Sequence, residues 1–405
     1  MSRAVVSNVS LSPLRRSRLL LARVFRRFSW PIFLSLLVLA VAGILGIYLA
    51  DHPSGQSFRS SEPWKIILSN RYLLQLAALL FGLFLFFVVV VFDYRRIGRY
   101  SYLLFGVSIV LLIVVGLMPP AGNTGVRRWL AFGSLRLGQP SELAKIAFIL
   151  ALAWYLRFRK SYRTFLGFLW PFAFALVPML LIVIEPDLGT SLLFLPTLIV
   201  VLFAAGARKR HIAVVFLLGL LSLPVLWSRM NRYQRDRVVG WLKQGQESVS
   251  SGSGFQLNRS LIAIGSGGLY GQPWRGADII ENDLLVHDHT DFIFAVIAAQ
   301  FGLVGASAVL FLYLILFAFG LRIAQTNYDP FGRLLAVGIV AMLATQTIIN
   351  ISMTIGLLPV TGMTLPFVSY GISSLWSSLI AVGLLISVGK HRSLSLGQKP
   401  FEFDD

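Results

Sequence analysis

The densest group of ionisable side chains lies in VHDHTDFIFAV, residues 286–296, directly before an apolar run. His287, His289 and Asp291 alternate along the chain, so in an extended segment all three would face one side and could bind a divalent metal ion. An aspartate just before a helix also serves as an N-cap or first-turn acid. A carboxylate in a water-depleted cavity can act as a general base. These roles remain open for Asp291.

Three further carboxylates stand at the ends of apolar segments: Glu142 in GQPSELAK, and Glu185 and Asp187 in IEPDLGT. An ionisable group at a membrane boundary is costly unless it is solvated or paired, so each one is a functional candidate. Helix capping is the alternative. Pro140 and Ser141 are typical of a helix start, and Asp187 can cap the segment that follows it.

Basic side chains accompany these acids. Lys145 follows Glu142 by three residues, so the two share one helix face. A simple ion pair is one interpretation, and a Lys145 side chain that meets an anion in a cavity is the other. Arg127 and Arg128 in GVRRWLAFG fall in a loop that is predicted to be extracytoplasmic. The positive-inside rule calls for basic residues on the cytoplasmic side, so it does not explain these two. An anionic, lipid-linked substrate would account for them, because Arg and Lys both bind phosphate.

Several catalytic templates are missing from the sequence. It contains no G-x-x-x-x-G-K-[ST] loop, no H-E-x-x-H helix and no cysteine. The GSGG at 265–268 lacks the strand and helix that flank a dinucleotide site. Phosphate-loop, zincin-type and cysteine-dependent chemistry are therefore not indicated.

The elements that position these groups are predicted to be membrane spans. Of 405 residues, 56% are hydrophobic and 13% are charged, and the mean hydropathy is +0.76. A soluble protein carries about a quarter charged residues. We predict an all-α, polytopic integral membrane protein with about ten transmembrane helices of roughly 20 residues each. Their approximate limits are 31–50, 73–92, 101–118, 142–158, 165–184, 190–206, 212–228, 303–321, 333–353 and 373–389.

The distribution of positive charge supports this topology. The net charge is +19, and the basic residues cluster in short connectors near residues 95–99, 157–163 and 208–210. With a cytoplasmic amino terminus all these connectors fall on the cytoplasmic side, as the positive-inside rule requires. Both termini are therefore predicted to be cytoplasmic. Charges spread between apolar runs argue against a nucleic-acid partner.

Three regions follow from the span limits. Residues 1–29 form a basic cytoplasmic arm, residues 30–390 form the membrane domain, and residues 391–405 form a cytoplasmic tail. Within the membrane domain, residues 229–302 are predicted to be a large extracytoplasmic loop between spans seven and eight. This loop contains the Ser/Gly-rich SVSSGSGFQ and the glycine-rich IGSGGLYGQPW, whose glycines permit tight turns and close backbone approach.

Six motifs, in this order, resemble the RodA/FtsW family, the SEDS (shape, elongation, division and sporulation) proteins. They span about residues 30–390 and read GVRRWLAFGSLRLGQPSELAK, EPDLGTS, YQRDRV, GFQLNRSLIAIGSGGLYG, HTDFIFAV and NISMTIGLLPVTGMTLPFVSYG. The resemblance implies a peptidoglycan glycosyltransferase that polymerises lipid II into β-1,4 glycan strands at the outer face of the bacterial cytoplasmic membrane. The wording MTIGLLPVTG is closer to the RodA branch, which implies a role in cell-wall elongation and cell shape.

The resemblance also implies roles for individual residues. Asp291 matches the essential aspartate of the family and would be the catalytic base. The substrate-binding positions it implies are Arg128, Trp129, Glu142, Lys145, Asp187, His289 and Thr290. No cofactor is certain, although a divalent cation, Mg²⁺ or Mn²⁺, is compatible with the family. The implied partners are lipid II, a class B penicillin-binding protein that acts as transpeptidase, and other membrane proteins of the elongation complex.

The chain departs from the family pattern at a few positions. Val286 and His287 replace a Pro-Glu pair, Ala299 and Gln300 replace an acidic pair, and Ile372 replaces a glycine. Pro273 also stands where the family commonly has glycine. The altered residues 286–287 lie close to Asp291, so they bear on metal binding and on catalytic rate.

Alternative functions share the same topology. A flippase for the lipid-linked precursor would also place ionisable residues within the membrane, but it needs a cavity reachable from both faces. The unusual charges here gather on one face, which favours the enzyme. A division-type, FtsW-like polymerase and a scaffold for the transpeptidase are the remaining alternatives. A scaffold predicts that neutralising Asp291 leaves function intact.

Overall fold

The structure is a computed structural model that describes residues 28–51, 70–118, 128–132, 135–159, 165–185, 187–230, 232–244, 252–272 and 290–391. Nearly all of the predicted basic arm and of the predicted tail lies outside the described residues. Long apolar segments fold as helices because a helix satisfies its own backbone hydrogen bonds where water is absent.

The helices of the described residues are numbered in chain order. They are α1 (Trp30–Asp51), α2 (Arg71–Val91), α3 (Tyr94–Arg99), α4 (Ser101–Leu117), α5 (Pro140–Leu156), α6 (Phe165–Ile184), α7 (Leu188–Leu192), α8 (Phe194–Ala205), α9 (Lys209–Arg229), α10 (Arg232–Leu242), α11 (Gly252–Ser266), α12 (Ile293–Thr326), α13 (Pro330–Thr354) and α14 (Ile372–Lys390). Two short strands, β1 (Leu130–Phe132) and β2 (Leu135–Gly138), pair antiparallel before α5, with Leu130 opposite Gly138.

Each predicted span overlaps a helix. In the part of the chain that is described, six helical segments are long and apolar enough to cross a membrane: α1, α2, the α7–α8 segment, α12, α13 and α14. Helix α4 and residues Leu169–Ile184 of α6 are shorter apolar helices. The all-helical membrane fold is confirmed, whereas the number of ten spans stays a prediction.

Helix α13 lies at the centre of the bundle, where it contacts α5, α8, α12 and α14. Around it, α14 packs along α2, α1 along α12, and α4 along α5. The outer faces of α2 and α4 remain apolar and exposed, for example at Leu80, Phe84 and Leu103. An exposed face of this composition suits contact with lipid chains.

The predicted loop 229–302 holds more regular structure than the sequence indicates. Helices α10 and α11 and the first part of α12 lie within it, and α11 packs against both α10 and α12. The prediction placed span eight at 303–321, but α12 already begins at Ile293. The apolar run before 303 is too short to span a bilayer. It is nevertheless helical because it is buried inside the protein.

Helix α12 is interrupted at Gly302, which has φ 63° and ψ −161°. Only glycine adopts this conformation readily. The interruption leaves the first amides of the second half of α12 without partners in their own helix. The turn after α11 supplies those partners: the carbonyl of Gly268 accepts from the N–H of Leu303 at 2.9 Å, and that of Leu269 accepts from Val304 at 3.2 Å.

The same turn also pairs with the first half of α12. The N–H of Gln272 donates to the carbonyl of Ala299 at 3.1 Å. Close approach of the two backbones requires glycine, because a Cβ at Gly271 would lie 2.2 Å from the carbonyl oxygen of Gln300. The turn 267–272 therefore caps both halves of α12, and α12 begins directly after Asp291 and Phe292.

Candidate active site

Residues 355–371 connect α13 to α14 without regular structure, although many of them are buried. Buried backbone polar groups need partners, and here two amide side chains of α13 supply them. Gln346 donates through Nε2 to the carbonyl of Thr364 at 2.9 Å, and Asn350 donates through Nδ2 to the carbonyl of Met363 at 2.6 Å. The central helix thereby holds the connecting segment by its main chain.

Two side chains fix the main chain at Thr290 and at Asp291, the candidate base. Asn350 also donates to the carbonyl of Asp291 at 3.0 Å. Ser369, in the connecting segment, donates through Oγ to the carbonyl of Thr290 and accepts from the N–H of Leu365 at 2.7 Å. The backbone that carries the Asp291 carboxylate is therefore tied to two buried side chains.

The prediction that Asp291 serves as the N-cap or first-turn acid of the next helix is wrong. The helix begins at Ile293, and Phe292 occupies the N-cap position without a side-chain cap. Asp291 lies in the turn before α12, where Asn350 donates to its carbonyl. Its side chain lines a cavity.

Glu142 and Lys145 form a buried ion pair, as one of the two interpretations predicted. Lys145 Nζ lies 3.0 Å from Glu142 Oε1, and Lys145 and Glu142 are 3% and 6% exposed. Helix α5 begins at Pro140, as predicted, which puts both side chains in its first two turns. Lys145 also donates to Gln346 Oε1 at 3.1 Å, and Ser377 donates to Glu142 Oε2. Both charges are thus compensated inside the bundle.

Asp187 caps α7, as predicted. Its Oδ1 accepts from the N–H of Thr190 at 3.2 Å, and its Oδ2 accepts from the Thr190 hydroxyl at 2.9 Å. Gln139, which precedes α5, donates to the same Oδ2 at 3.1 Å. The cap therefore also joins the starts of α5 and α7.

Glu185 lies in the connection between α6 and α7, outside the spanning helices. It is 1% exposed, and its Oε1 has no hydrogen-bond partner among the described residues. Burial, and next the negative charge of Asp187, raise the pKa of Glu185 to about 8, while Arg128 opposes the shift. Arg128 also donates through Nε to the backbone carbonyl of Glu185 at 3.5 Å. The Glu185 carboxyl is consequently mostly protonated at neutral pH.

One cavity of about 1250 Å³ is lined by Asp291 and by the Glu142–Lys145 pair, Asp187 and Arg128. Its charged lining consists of Arg128, Glu142, Lys145, Asp187, Asp236, Arg237 and Asp291, and its apolar lining includes Leu74, Ala77, Trp129, Leu193 and Trp376. A cavity lined by both charged and apolar side chains suits an amphiphilic anion, with a polar headgroup and an apolar tail. Within it, a carboxylate such as that of Asp291 can accept a proton, and a guanidinium can offset negative charge.

Helix α10 carries part of the predicted loop to the cavity. Trp241 donates through Nε1 to the carbonyl of Gly356 at 2.9 Å, which fixes α10 to the segment after α13. Ser260 of α11 donates to the carbonyl of Thr354 at 2.9 Å. These anchors place Asp236 and Arg237 in the cavity lining.

The cavity brings together the described catalytic and substrate-binding residues that the resemblance implies, which are Arg128, Trp129, Glu142, Lys145, Asp187, Thr290 and Asp291. The candidate Glu185 is not among its lining residues. His289 lies outside the described residues, as do His287 and Arg127. The location of the seven described residues is thus known, and their catalytic and substrate-binding roles stay predictions.

Sequence reasoning missed other residues of the site, which are Gln139, Asp236, Arg237, Gln346, Asn350 and Ser377. A signal existed for Gln346 and Asn350, because an amide side chain inside an apolar span is costly unless it is hydrogen-bonded. Asp236 and Arg237 lie in YQRDRV, one of the six quoted motifs, but a charged residue in a loop is ordinarily solvated, so its place in the site was not predicted.

A divalent cation is compatible with the resemblance, and it would need several ligands at one point. Among the described residues, no three His, Asp or Glu side chains converge as metal ligands. Carboxylates of the lining are instead bound to protein donors, as with Glu142 and Asp187. The described side chains therefore do not form a metal site by themselves, and metal dependence stays a prediction.

The chain is similar to known proteins over most of its length. The profile of the cell cycle protein family FtsW/RodA/SpoVE matches residues 29–394. The peptidoglycan glycosyltransferase MrdB of Escherichia coli strain K12 is 39% identical over 292 residues, which cover 72% of this chain and 78% of MrdB. The stage V sporulation protein E of Bacillus subtilis strain 168 is 37% identical over 323 residues, which cover 76% of this chain and 84% of that protein. The peptidoglycan glycosyltransferase RodA of Treponema pallidum is 32% identical, and the match covers 90% of this chain and 98% of that protein.

Solved structures resemble the fold as well. One is a chain of a peptidoglycan synthase complex described as coordinating polymerization and crosslinking, with a TM-score of 0.75 and 31% identity over 91% of this chain and 99% of that chain. Another is the rod shape determining protein RodA of Thermus thermophilus, with a TM-score of 0.64 and 29% identity over 91% of this chain and 98% of that chain.

Proposed function

The chain belongs to the FtsW/RodA/SpoVE family, and from this premise we propose that it polymerises lipid II as a peptidoglycan glycosyltransferase of the bacterial membrane. The enzyme class is that of its curated relatives. The observation that carries the proposal at the level of the site is the position of Asp291. Asp291 lines a cavity that has both charged and apolar lining residues, and Asn350 and Ser369 hold the carbonyls of Asp291 and Thr290.

In the proposed reaction Asp291 is the general base. Its carboxylate takes the proton of the 4-hydroxyl group of an acceptor GlcNAc, and the hydroxyl oxygen attacks the anomeric carbon of a donor MurNAc. A carbon–oxygen bond forms there as the bond to the pyrophosphate breaks. The departing undecaprenyl pyrophosphate carries the electron pair, and inversion turns the α-linked donor into a β-1,4 linkage.

The leaving pyrophosphate needs positive charge. Lys145 is already paired with Glu142 and bonded to Gln346, so much of its charge is compensated. Arg128 lies in the same lining, and its planar guanidinium can offer a phosphate paired N–H groups, so it is the better candidate. The apolar lining residues, such as Leu74 and Trp376, would hold the start of the lipid tail.

Sidedness and partners belong to the same proposal. We place the cavity at the outer face of the cytoplasmic membrane and both termini in the cytoplasm, because the basic connectors then lie inside. We also propose a class B penicillin-binding protein as the partner transpeptidase and lipid II as the substrate. Since the relatives are named as glycosyltransferases, the flippase and scaffold alternatives are not favoured. Use in elongation, as opposed to division, stays a prediction.

The deciding experiment is glycan polymerisation from purified lipid II by wild type and Asp291→Asn, each with and without the cognate transpeptidase. The substitution keeps the size of the side chain and removes the base. We expect polymer from wild type and none from the folded variant. Asp93→Asn is the matched control, because Asp93 caps α3 away from the cavity and Asn also caps helices.

Two results would contradict the proposal. Equal polymer from wild type and Asp291→Asn would remove Asp291 as the base. Absence of polymer from wild type, even with the partner and with Mg²⁺ or Mn²⁺, would contradict the proposed reaction. Parallel reactions with added metal and with a chelator measure whether a divalent cation is needed.

A further inference from the structure

Arg237 of α10 and Asp291 converge on the same point of the connecting segment. A Cβ added to Gly362 would lie 3.4 Å from Arg237 Nη2, 3.5 Å from Arg237 Nη1 and 3.6 Å from Asp291 Oδ2. The guanidinium and the carboxylate thus lie within about 7 Å of each other, a range over which opposite charges attract where water is reduced. Both side chains line the cavity.

The chain conformation around Gly362 leaves room for this arrangement. Gly362 has φ 76°, a left-handed conformation that glycine adopts without strain. A side chain at this position would contact both ionic groups at once. Because Gly362 has no side chain, the guanidinium of Arg237 and the carboxylate of Asp291 can both lie against its backbone.

The position of Arg237 is fixed by its own helix. Trp241 follows it by four residues, so the two share one face of α10. The Trp241 side chain is anchored to the carbonyl of Gly356 at 2.9 Å. Arg237 is therefore held against the segment 355–371 by the anchor one turn further along α10.

The other cations of the lining have different attachments. Lys145 is paired with Glu142 deep in the bundle, and Arg128 lies against the carbonyl of Glu185. The terminal nitrogens of Arg237 and the Asp291 carboxylate both lie within 4 Å of a Cβ built on Gly362. In an inverting displacement the base stands on the acceptor side of the sugar, opposite the leaving group. A cation beside the base is therefore suited to orient the base.

We propose that Arg237 is a positioning residue for Asp291: its guanidinium orients the carboxylate toward the acceptor hydroxyl. This inference rests on the proposed polymerase function. A planar guanidinium suits the role because it offers two parallel N–H groups to a carboxylate, which the single ammonium of Lys cannot do.

The test is steady-state lipid II polymerisation by the full-length protein with its transpeptidase. We expect Arg237→Gln to lower kcat by about 10- to 100-fold while leaving KM for lipid II within about twofold, as for loss of an orienting group. Arg237→Lys should keep an intermediate kcat. Guanidinium ions should partly restore the kcat of Arg237→Ala, whereas the same ionic strength of NaCl should not.

Arg235→Gln is the matched control on the same helix. Arg235 donates through Nη2 to the carbonyl of Ser228 at 2.9 Å, so it serves another contact, and its loss should leave kcat unchanged. A raised KM with normal kcat in Arg237→Gln would overturn the proposal in favour of substrate binding. Loss of kcat without guanidinium rescue, or a normal kcat, would overturn it as well. Wild type and Asp291→Asn are measured in parallel. If wild type is active and Asp291→Asn is inactive, the proposed function holds, and a contrary result for Arg237 then concerns the positioning role alone.

Discussion

Replacing Lys145 with Met would leave the buried Glu142 carboxylate without its counter-ion. Glu142 would keep the Ser377 hydroxyl as a donor but would lose an ammonium 3.0 Å away. Both residues are less than a tenth exposed, so water replaces the lost partner poorly. Breaking a buried ion pair by removing one member costs about 3–5 kcal/mol of unfolding free energy. We expect a loss of this size for Lys145→Met and a similar one for Glu142→Gln.

The double variant should behave differently from the sum of the two. With both charges removed, the amide introduced at position 142 can still accept a hydrogen bond from Ser377, and neither ion of the pair remains buried. Replacing a whole buried pair with neutral groups is often close to neutral in stability. We therefore expect the double variant to be more stable than either single one, with a coupling free energy of about 3 kcal/mol or more.

Unfolding in mixed micelles with increasing SDS measures these free energies, and the nine tryptophans of the chain supply the fluorescence signal. Lys209→Met is the control, because Lys209 is exposed at the start of α9. Its effect should stay within about 0.5 kcal/mol. A double variant whose loss equals the sum of the single losses would refute the reasoning, because it would show that the two charges do not stabilise each other.

Two further predictions concern the connections around the bundle. Glu185→Gln should flatten the pH dependence of the unfolding free energy. In the folded wild type the pKa of Glu185 is raised from 4.5 to about 8, so stability falls as the pH rises through that window. Unfolding midpoints of the two proteins that change in parallel from pH 5 to pH 9 would contradict this. Gly302→Ala should cost about 2–5 kcal/mol, because the left-handed backbone is strained and a Cβ would lie 2.5 Å from the carbonyl oxygen of Leu269. Gly106→Ala, at a helix position with open space around it, is the control in detergent unfolding; equal losses in the two variants would show that the break does not need glycine.

The sequence predicts the membrane helices well because their signal is local. A run of about 20 apolar residues is sufficient to indicate a span, whatever its neighbours are. The starts of α5 and α7 are also local features, since Pro140 and Asp187 act on the next few residues. The ion pair of Glu142 and Lys145 follows from helix periodicity in the same way.

Long-range contacts account for what the sequence does not predict. Asn350 binds the carbonyl of Asp291, which is 59 residues away, and nothing near either residue indicates that pairing. The buried start of α12 resembles a loop because it is too short to span, and only its partners in the fold make it helical. Arg237 reaches the site because Trp241 anchors α10 to Gly356, a contact across 115 residues.

The break in α12 has a consequence for how the protein is assembled. The second half of this helix contains predicted span eight, 303–321, and its first amides are bonded to the carbonyls of Gly268 and Leu269. A non-polar environment does not tolerate unpaired amides. Because synthesis proceeds from the amino end, the turn 267–272 leaves the ribosome before Gly302 does. The acceptor carbonyls are thus available when the second half of α12 is inserted, and correct insertion of α12 depends on a segment that precedes it in the chain.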